Sequence, residues 1–258
     1  MQQRARSVDD KARRAEELLA AAEAIALELG GVRFVTLAPV TDRAGLHRTG
    51  VRRYYASKEE LLLELAERGW RQWRDAISNA VAAGPSDTTT AAPSDATTAG
   101  LSDTTTGAPS DATTAGLSNT TTAAPSGGLG PREVATLLAD TIAALPVFCD
   151  LLTHVTLSLE GDVDLERARR YKTSSFAAHD DIVAALDRAS GMTVEQIRAL
   201  MAAALALAAS FWQVSHPTPT LAALYRQVPA WGHVALDFQP RLRLLLQSTA
   251  IGLAETLS

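Results

Sequence analysis

Between Thr36 and Lys58 the chain carries His47, Arg48, Thr49, Arg52, Arg53, Tyr54 and Lys58, a run of hydrogen-bond donors in which four side chains are permanently positive. The chemistry they suit is recognition of a polyanion. A guanidinium can give guanine two parallel bonds, worth roughly 1–3 kcal/mol of discrimination between bases. Thr, Tyr, Lys and Arg also hold phosphate oxygens, which fixes a docking angle without reading sequence. His47, Arg48 and Thr49 stand where the N-terminal end of a base-reading helix would lie, with Gly50 inside that helix. Arg52 and Arg53 follow one turn on, then Tyr54 and Lys58, placed to hold phosphates. The alternative is a solvated basic face on an ordinary helical hairpin.

A second group lies near residue 150. Helical spacing puts Asp150, His154 and Ser158 on one face, with Phe148 and Cys149 close by, and Phe176, Phe211 and Trp212 offer apolar walls. Convergent polar groups among such walls are what a small-molecule pocket needs. The aromatics suit core packing equally, and Asp150 with His154 suits a structural hydrogen-bonded pair. Metal chemistry finds less support, because His179, Asp180 and Asp181 are adjacent on a helix and point in different directions. There is no phosphate-cradling Gly-rich loop, no nucleophile elbow and no paired-His metal motif, and Cys149 in an apolar segment reads as a small core residue. Neither enzyme activity nor a cofactor or metal is expected.

These residues need helices to position them. The chain has 258 residues, 47% of them apolar and only 5% aromatic, and alternating β-branched segments are scarce, so the expected fold is all-α. Helix one is expected from Asp9 to the Gly30-Gly31 stop, with Leu18, Leu19, Ala22, Ile25, Ala26 and Leu29 as its apolar stripe. Thr36 can cap a second helix that carries Pro39 in its first turn and Leu37, Val40 and Ala44 on its inner face. Ala44-Gly45-Leu46 makes the turn, and a third helix is expected from His47 to Tyr54. Ser57-Lys58-Glu59-Glu60 is a capping box that opens a long fourth helix to Ala83.

From Gly84 to Gly130 the composition changes to Pro, Ser, Asp, Thr, Ala and Gly, with an octamer (PSDTTTAA, PSDATTAG, LSDTTTGA, PSDATTAG, LSNTTTAA) recurring from Pro85. Such a stretch buries too little apolar surface to offset roughly 1–2 kcal/mol per residue of ordering entropy, so a disordered linker is expected. The alternative is a glycosylated or partner-binding stalk, since Asn119-Thr120-Thr121 matches an acceptor. Helices are then expected from Pro131 to Leu145, Pro146 to Glu160, Asp164 to Ala189, Thr193 to Ser215, Thr218 to Gln227 and Gln239 to Leu257. The stripes on the 193–215 and 239–257 helices are too wide for one core, which implies a second buried contact, though a monomer burying both internally is the alternative.

The net charge of -5 argues against nonspecific coating of nucleic acid, yet residues 1–60 hold 11 Lys and Arg against 9 Asp and Glu, while the rest hold 13 against 20. Basic charge thus collects where the donors are. A single cysteine permits no intrachain disulfide and suits a reducing cytoplasm. The N-terminus has no apolar h-region, so no secretory signal is expected, and the longest run free of strongly polar residues, Ala199 to Trp212, suits a buried helix sooner than a membrane span.

Helix one ending in Gly-Gly, then Thr36-Leu37-x-x-Val40-x-x-x-Ala44-Gly45-Leu46, then Tyr54-Tyr55-x-Ser57-Lys58-Glu59-Glu60-Leu61 resembles the N-terminal domain of the tetracycline repressor (TetR) family of bacterial regulators. About 60 residues carry the likeness. It departs at Thr49-Gly50, where the family often has Gly then Thr, and at Arg52, where it often has Tyr. The resemblance implies that Tyr55 packs in the core, that Thr36, Tyr54 and Lys58 approach the DNA backbone, and that Arg48 and Thr49 read bases. It further implies a helix-turn-helix head over residues 1–60, a connecting helix over 61–83 and, beyond the 84–130 insert, an effector-binding and dimerisation domain over 131–258. In a homodimer the last two long helices would pair as a four-helix bundle and set two heads on a pseudopalindromic double-stranded operator. The expected function is therefore a cytoplasmic repressor released by a small-molecule effector, with no membrane partner. The alternative is a helical protein-interaction or ligand-sequestering module without sequence-specific DNA binding.

Overall fold

The structure is a computed structural model that describes residues 2–47, 50–84, 128–234 and 237–257. Helix α1 (Gln2–Leu29) begins seven residues before the expected start and buries Leu18, Leu19, Ala22, Ile25 and Ala26 of the expected stripe, whereas Leu29, its last residue beside the Gly30 stop, is 55% exposed. It stops at Gly30, whose φ of 74° lies in the left-handed region that a Cβ disfavours. A 3-10 turn (Val32–Phe34) leads to α2 (Leu37–Arg43), which buries Val40. Thr36 has the extended backbone of a cap residue but makes no side-chain cap bond, contrary to the expectation from its type. Arg43 fixes α2 to α1 through two bonds to Glu28, at 2.8 and 2.6 Å. Gly45 makes the following turn with φ 65°.

The third element differs from expectation. Its described part is a 3-10 turn (Val51–Arg53) in place of an α-helix from His47 to Tyr54. The amides of Gly50, Arg53 and Tyr54 each bond three residues back, to the carbonyls of His47, Gly50 and Val51 at 2.7, 3.2 and 2.9 Å. Eight residues with a Gly flanked by β-branched Thr49 and Val51 have little to set against the cost of nucleating a helix, and burial of Val51 holds the tighter turn.

Helix α3 (Lys58–Ala83) starts where Ser57 Oγ accepts from Glu60 N at 3.2 Å. Glu60 reaches back to the amide of Ala56 at 2.6 Å, one residue beyond the cap amide expected. The described chain resumes at Gly128. Leu129, expected inside the insert, is bonded to Ala189 O at 2.8 Å and forms an isolated bridge with Ser190. The octamer repeat and its expected disorder fall on residues 85–127, outside the described residues.

The body comprises α4 (Pro131–Ala143), α5 (Pro146–His154) at 90° to it, α6 (Leu165–Ala189), α7 (Val194–Ser215), α8 (Pro219–Gln227) and α9 (Phe238–Thr256). A π turn (Val155–Leu159) extends α5, and a 3-10 turn (Pro229–Val234) precedes α9. Caps mark the starts: Asp164 accepts from Arg167 N, Thr218 from Leu221 N, and Thr193 with Gln196 forms a full capping box. Helix α3 packs on α6, while α9 packs on α4 and α7. One core runs from Leu18 of α1 through Trp70 and Trp73 of α3 to Leu246 of α9. Helix α7 is long and apolar enough to cross a membrane by length and composition, yet its Ile197, Leu200, Met201, Ala204 and Ala208 are buried in this bundle. The described residues thus form an all-α fold with no named strand.

Candidate nucleic-acid interface and ligand cavity

In the head, Arg52 and Arg53 lie side by side on the 3-10 turn and both are exposed, as are Thr36 and His47. Tyr54 is half-buried against the core, and Tyr55 is only 2% exposed, in agreement with the packing role that the resemblance implies. Burial pushes the Tyr55 hydroxyl well above its ordinary range. Lys58 donates to Arg33 O at 3.2 Å, which holds its ammonium against the 3-10 turn that precedes α2. Gly50 has right-handed φ and ψ of -70° and -34°, but a Cβ there would stand 3.0 Å from His47 O, so its lack of a side chain admits the tight turn. Arg48 and Thr49, the expected base readers, lie outside the described residues.

Two buried polar contacts join head to body. Asp150, 7% exposed, accepts from Val32 N at 2.7 Å and from Gln213 Nε2 at 2.8 Å. His154, one turn on, stands 3.8 Å from the same carboxylate, too far for the hydrogen-bonded pair that the sequence suggests. On the other side, Arg167 of α6 pairs with Glu67 of α3 at 2.6 Å and reaches Glu60 O at 3.4 Å. Glu64 lies beside this pair, and burial, with Glu67 close by, raises its carboxyl above the usual range.

A cavity of about 450 Å³ opens between α3, α5, the π turn, α6 and α7. Trp70, Leu152, Val155 and Leu205 form apolar walls, and Glu160, Tyr171, Lys172, Ser175 and His179 supply polar groups. Tyr171 accepts from Trp70 Nε1 at 3.3 Å, and burial pushes its phenol up to about 12, so it stays a neutral donor. Lys172 pairs with Glu160 at 2.8 Å and lies 5.9 Å from the Phe176 ring centroid. A smaller cavity of about 200 Å³ lies between the end of α1, α5 and α7, lined among others by Gly30, Asp150, Trp212 and His216.

The structure does not gather the seven pocket residues expected from sequence. Phe176 lines the larger cavity, while Asp150 and Trp212 line the smaller. Phe148 and Cys149 are buried in the core, Phe148 against Trp70 and Trp73, and Cys149 with its thiol 3.2 Å from Ile142 O and pushed up to about 12 by burial. His154 and Phe211 are half-buried and line neither cavity. Ser158 gives its hydroxyl to His154 O within the π turn. His179 touches Asp180 at 3.2 Å, whereas Asp181 faces Arg74 at 3.7 Å, and among the described residues no group of three His, Cys, Asp or Glu could hold a metal ion. Sequence reading missed Trp70, Glu160, Tyr171, Lys172 and Ser175. The spacing of Tyr171, Ser175 and His179 by four, beside Lys172 and Phe176, was the available signal.

No curated protein matches the chain. A family model described as tetracyclin repressor-like, C-terminal domain, matches residues 108–256, more than half the chain. That match covers the helical body, whereas the likeness read from motifs covers the head. With the two ends pointing the same way and the body matched across its helices, the chain belongs to the tetracyclin repressor-like family.

Proposed function

We propose that the chain is a homodimeric DNA-binding regulator, a cytoplasmic repressor that leaves its operator when a small molecule enters the cavity of about 450 Å³. Residues 1–60 are the DNA-binding head, 61–83 the connecting helix, 84–130 an insert and 131–258 the effector and dimerisation domain. The observation that carries this reading is the double duty of α6. Tyr171, Lys172 and Ser175 line the cavity, and one turn earlier Arg167 grips Glu67 and Glu60 at the head end of α3. A ligand that favours one seating of α6 therefore biases the seating of α3 and the spacing of two heads. DNA affinity then falls by the ligand's differential affinity for the two states.

Dimerisation is supported by apolar surface left on the last long helices. With Leu242, Leu246 and Ala250 buried inside, α9 still exposes Leu244 (55%), and α7 exposes Val194 (37%). A two-fold partner against the exposed side of α9 would cover Leu244. In the head, Arg48 and Thr49 would read bases with His47 at the same end, Gly50 would let the chain approach the DNA closely, and Thr36, Arg52, Arg53, Tyr54 and Lys58 would hold the backbone.

The test is a gel shift on short inverted repeats upstream of its own or the adjacent gene. Arg48→Ala is expected to weaken the specific site selectively, and Lys58→Ala to weaken all duplexes and lower the salt slope by about 1. Equal losses on specific and random DNA for both variants would refute the assignment. One observation favours a second reading: a 3-10 turn stands where a base-reading helix was expected. It fits a helical interaction or ligand-sequestering module, which would bind no preferred duplex in the same assay.

A further inference from the structure

We infer that the cavity of about 450 Å³ beside Tyr171 takes an amphipathic monocation, an apolar or aromatic amine whose ammonium replaces that of Lys172 beside Glu160. This deepens the reading of that cavity as an effector site. The protein's own ammonium marks the seat: Lys172 Nζ is 2.8 Å from Glu160 Oε1 and 5.9 Å from the Phe176 ring centroid. Carboxylate and aromatic face are the two partners that hold an organic cation.

The two ends of this ion pair differ in freedom. The Lys172 side chain is 52% exposed and can retract into water, whereas that of Glu160 is 23% exposed and stays with the π turn that anchors it. An amine entering the cavity would exchange one ammonium for another and leave Glu160 paired. An anion would have to take Lys172 for itself, leaving the Glu160 carboxylate without its counter-ion in a partly dry site, which is costly. The rest of the lining does not reverse this balance. Tyr171 and Ser175 are neutral, and His179 already lies against Asp180 at 3.2 Å. Trp70, Leu152, Val155 and Leu205 would cover the apolar body, and the volume of about 450 Å³ falls among those of small-molecule sites.

The experiment is titration calorimetry of the full chain with three probes of one shape: 2-(1-naphthyl)ethylamine, 3-(1-naphthyl)propionate and 1-ethylnaphthalene. The amine is expected to bind at least about tenfold more tightly than the other two. Glu160→Gln should erase that preference and leave 1-ethylnaphthalene unchanged, which also reports an intact cavity. Lys172→Met should raise amine affinity, because the tethered competitor is gone. A propionate that binds as well as the amine, an amine affinity untouched by Glu160→Gln, or binding by none of the three would overturn the inference. Gel shifts separate this from the reading beneath it. Glu160-dependent amine binding without DNA release keeps the ligand class and removes the effector role. DNA release by the propionate alone keeps the regulator and overturns the ligand class.

Discussion

Replacing Asp150 by Ala should loosen the head from the body. Its carboxylate accepts two short bonds, from Val32 N at 2.7 Å and Gln213 Nε2 at 2.8 Å, in a setting where Asp150 is 7% and Val32 1% exposed. Hydrogen bonds to a charged group contribute about 1.5–3 kcal/mol each, and a buried amide left without an acceptor costs its desolvation. Relief of the burial penalty on the carboxylate offsets part of this loss. A net destabilisation of about 2–4 kcal/mol follows, or a fall in Tm of about 5–15 °C for a chain of this size. Asp150→Asn keeps one acceptor oxygen and should fall between. Thermal unfolding reads the total, and hydrogen exchange at the Val32 amide reads the bond itself, which should lose protection selectively in Asp150→Ala. An unchanged Tm in Asp150→Ala together with full protection at Val32 would refute the argument that this carboxylate straps head to body.

Further outcomes follow from the same packing. A Cβ at residue 69 would stand 2.3 Å from Phe148 Cδ2, so Gly69→Ala should cost at least about 1–3 kcal/mol, part of it recovered by adding Phe148→Leu, as measured by Tm. Arg167→Met leaves Glu67 unpaired in a nearly dry site and should cost about 3–5 kcal/mol, and the double change with Glu67→Leu should cost less than that single one in urea denaturation. Burial raises Cys149 and Tyr171 from 9.0 and 10.0 to about 12, so the neutral forms stabilise the fold at lower pH. That stability should be lost as pH rises from about 9 through 12, and Cys149→Ala with Tyr171→Phe should flatten the fall in Tm over this window.

Helix order and most helix ends could be read in the sequence because their signals are local. Ser57, Asp164, Thr193 and Thr218 cap the helices they precede, and Pro131 opens its helix as expected. Two things could not be read locally. The third head element depends on whether a short segment with Gly50 can nucleate a helix, and tertiary burial of Val51 selects the tighter turn. The cavity depends on convergence: Trp70 and Lys172 come from α3 and α6, Glu160 follows the π turn, and no spacing along one element brings them together. The same logic misdirected the aromatic residues. Phe148 is a good wall by type, but the missing side chain at Gly69 draws it into the α3 contact instead.

Selection of bound duplexes from a random pool by the purified chain tests the central claim most directly. The expected result is enrichment of an inverted repeat whose half-sites lie about one helical turn or a multiple apart, as two symmetric heads require. Retention of DNA without enrichment of any sequence, or of half-sites without two-fold symmetry, would contradict the account of this chain as a dimeric operator-binding regulator.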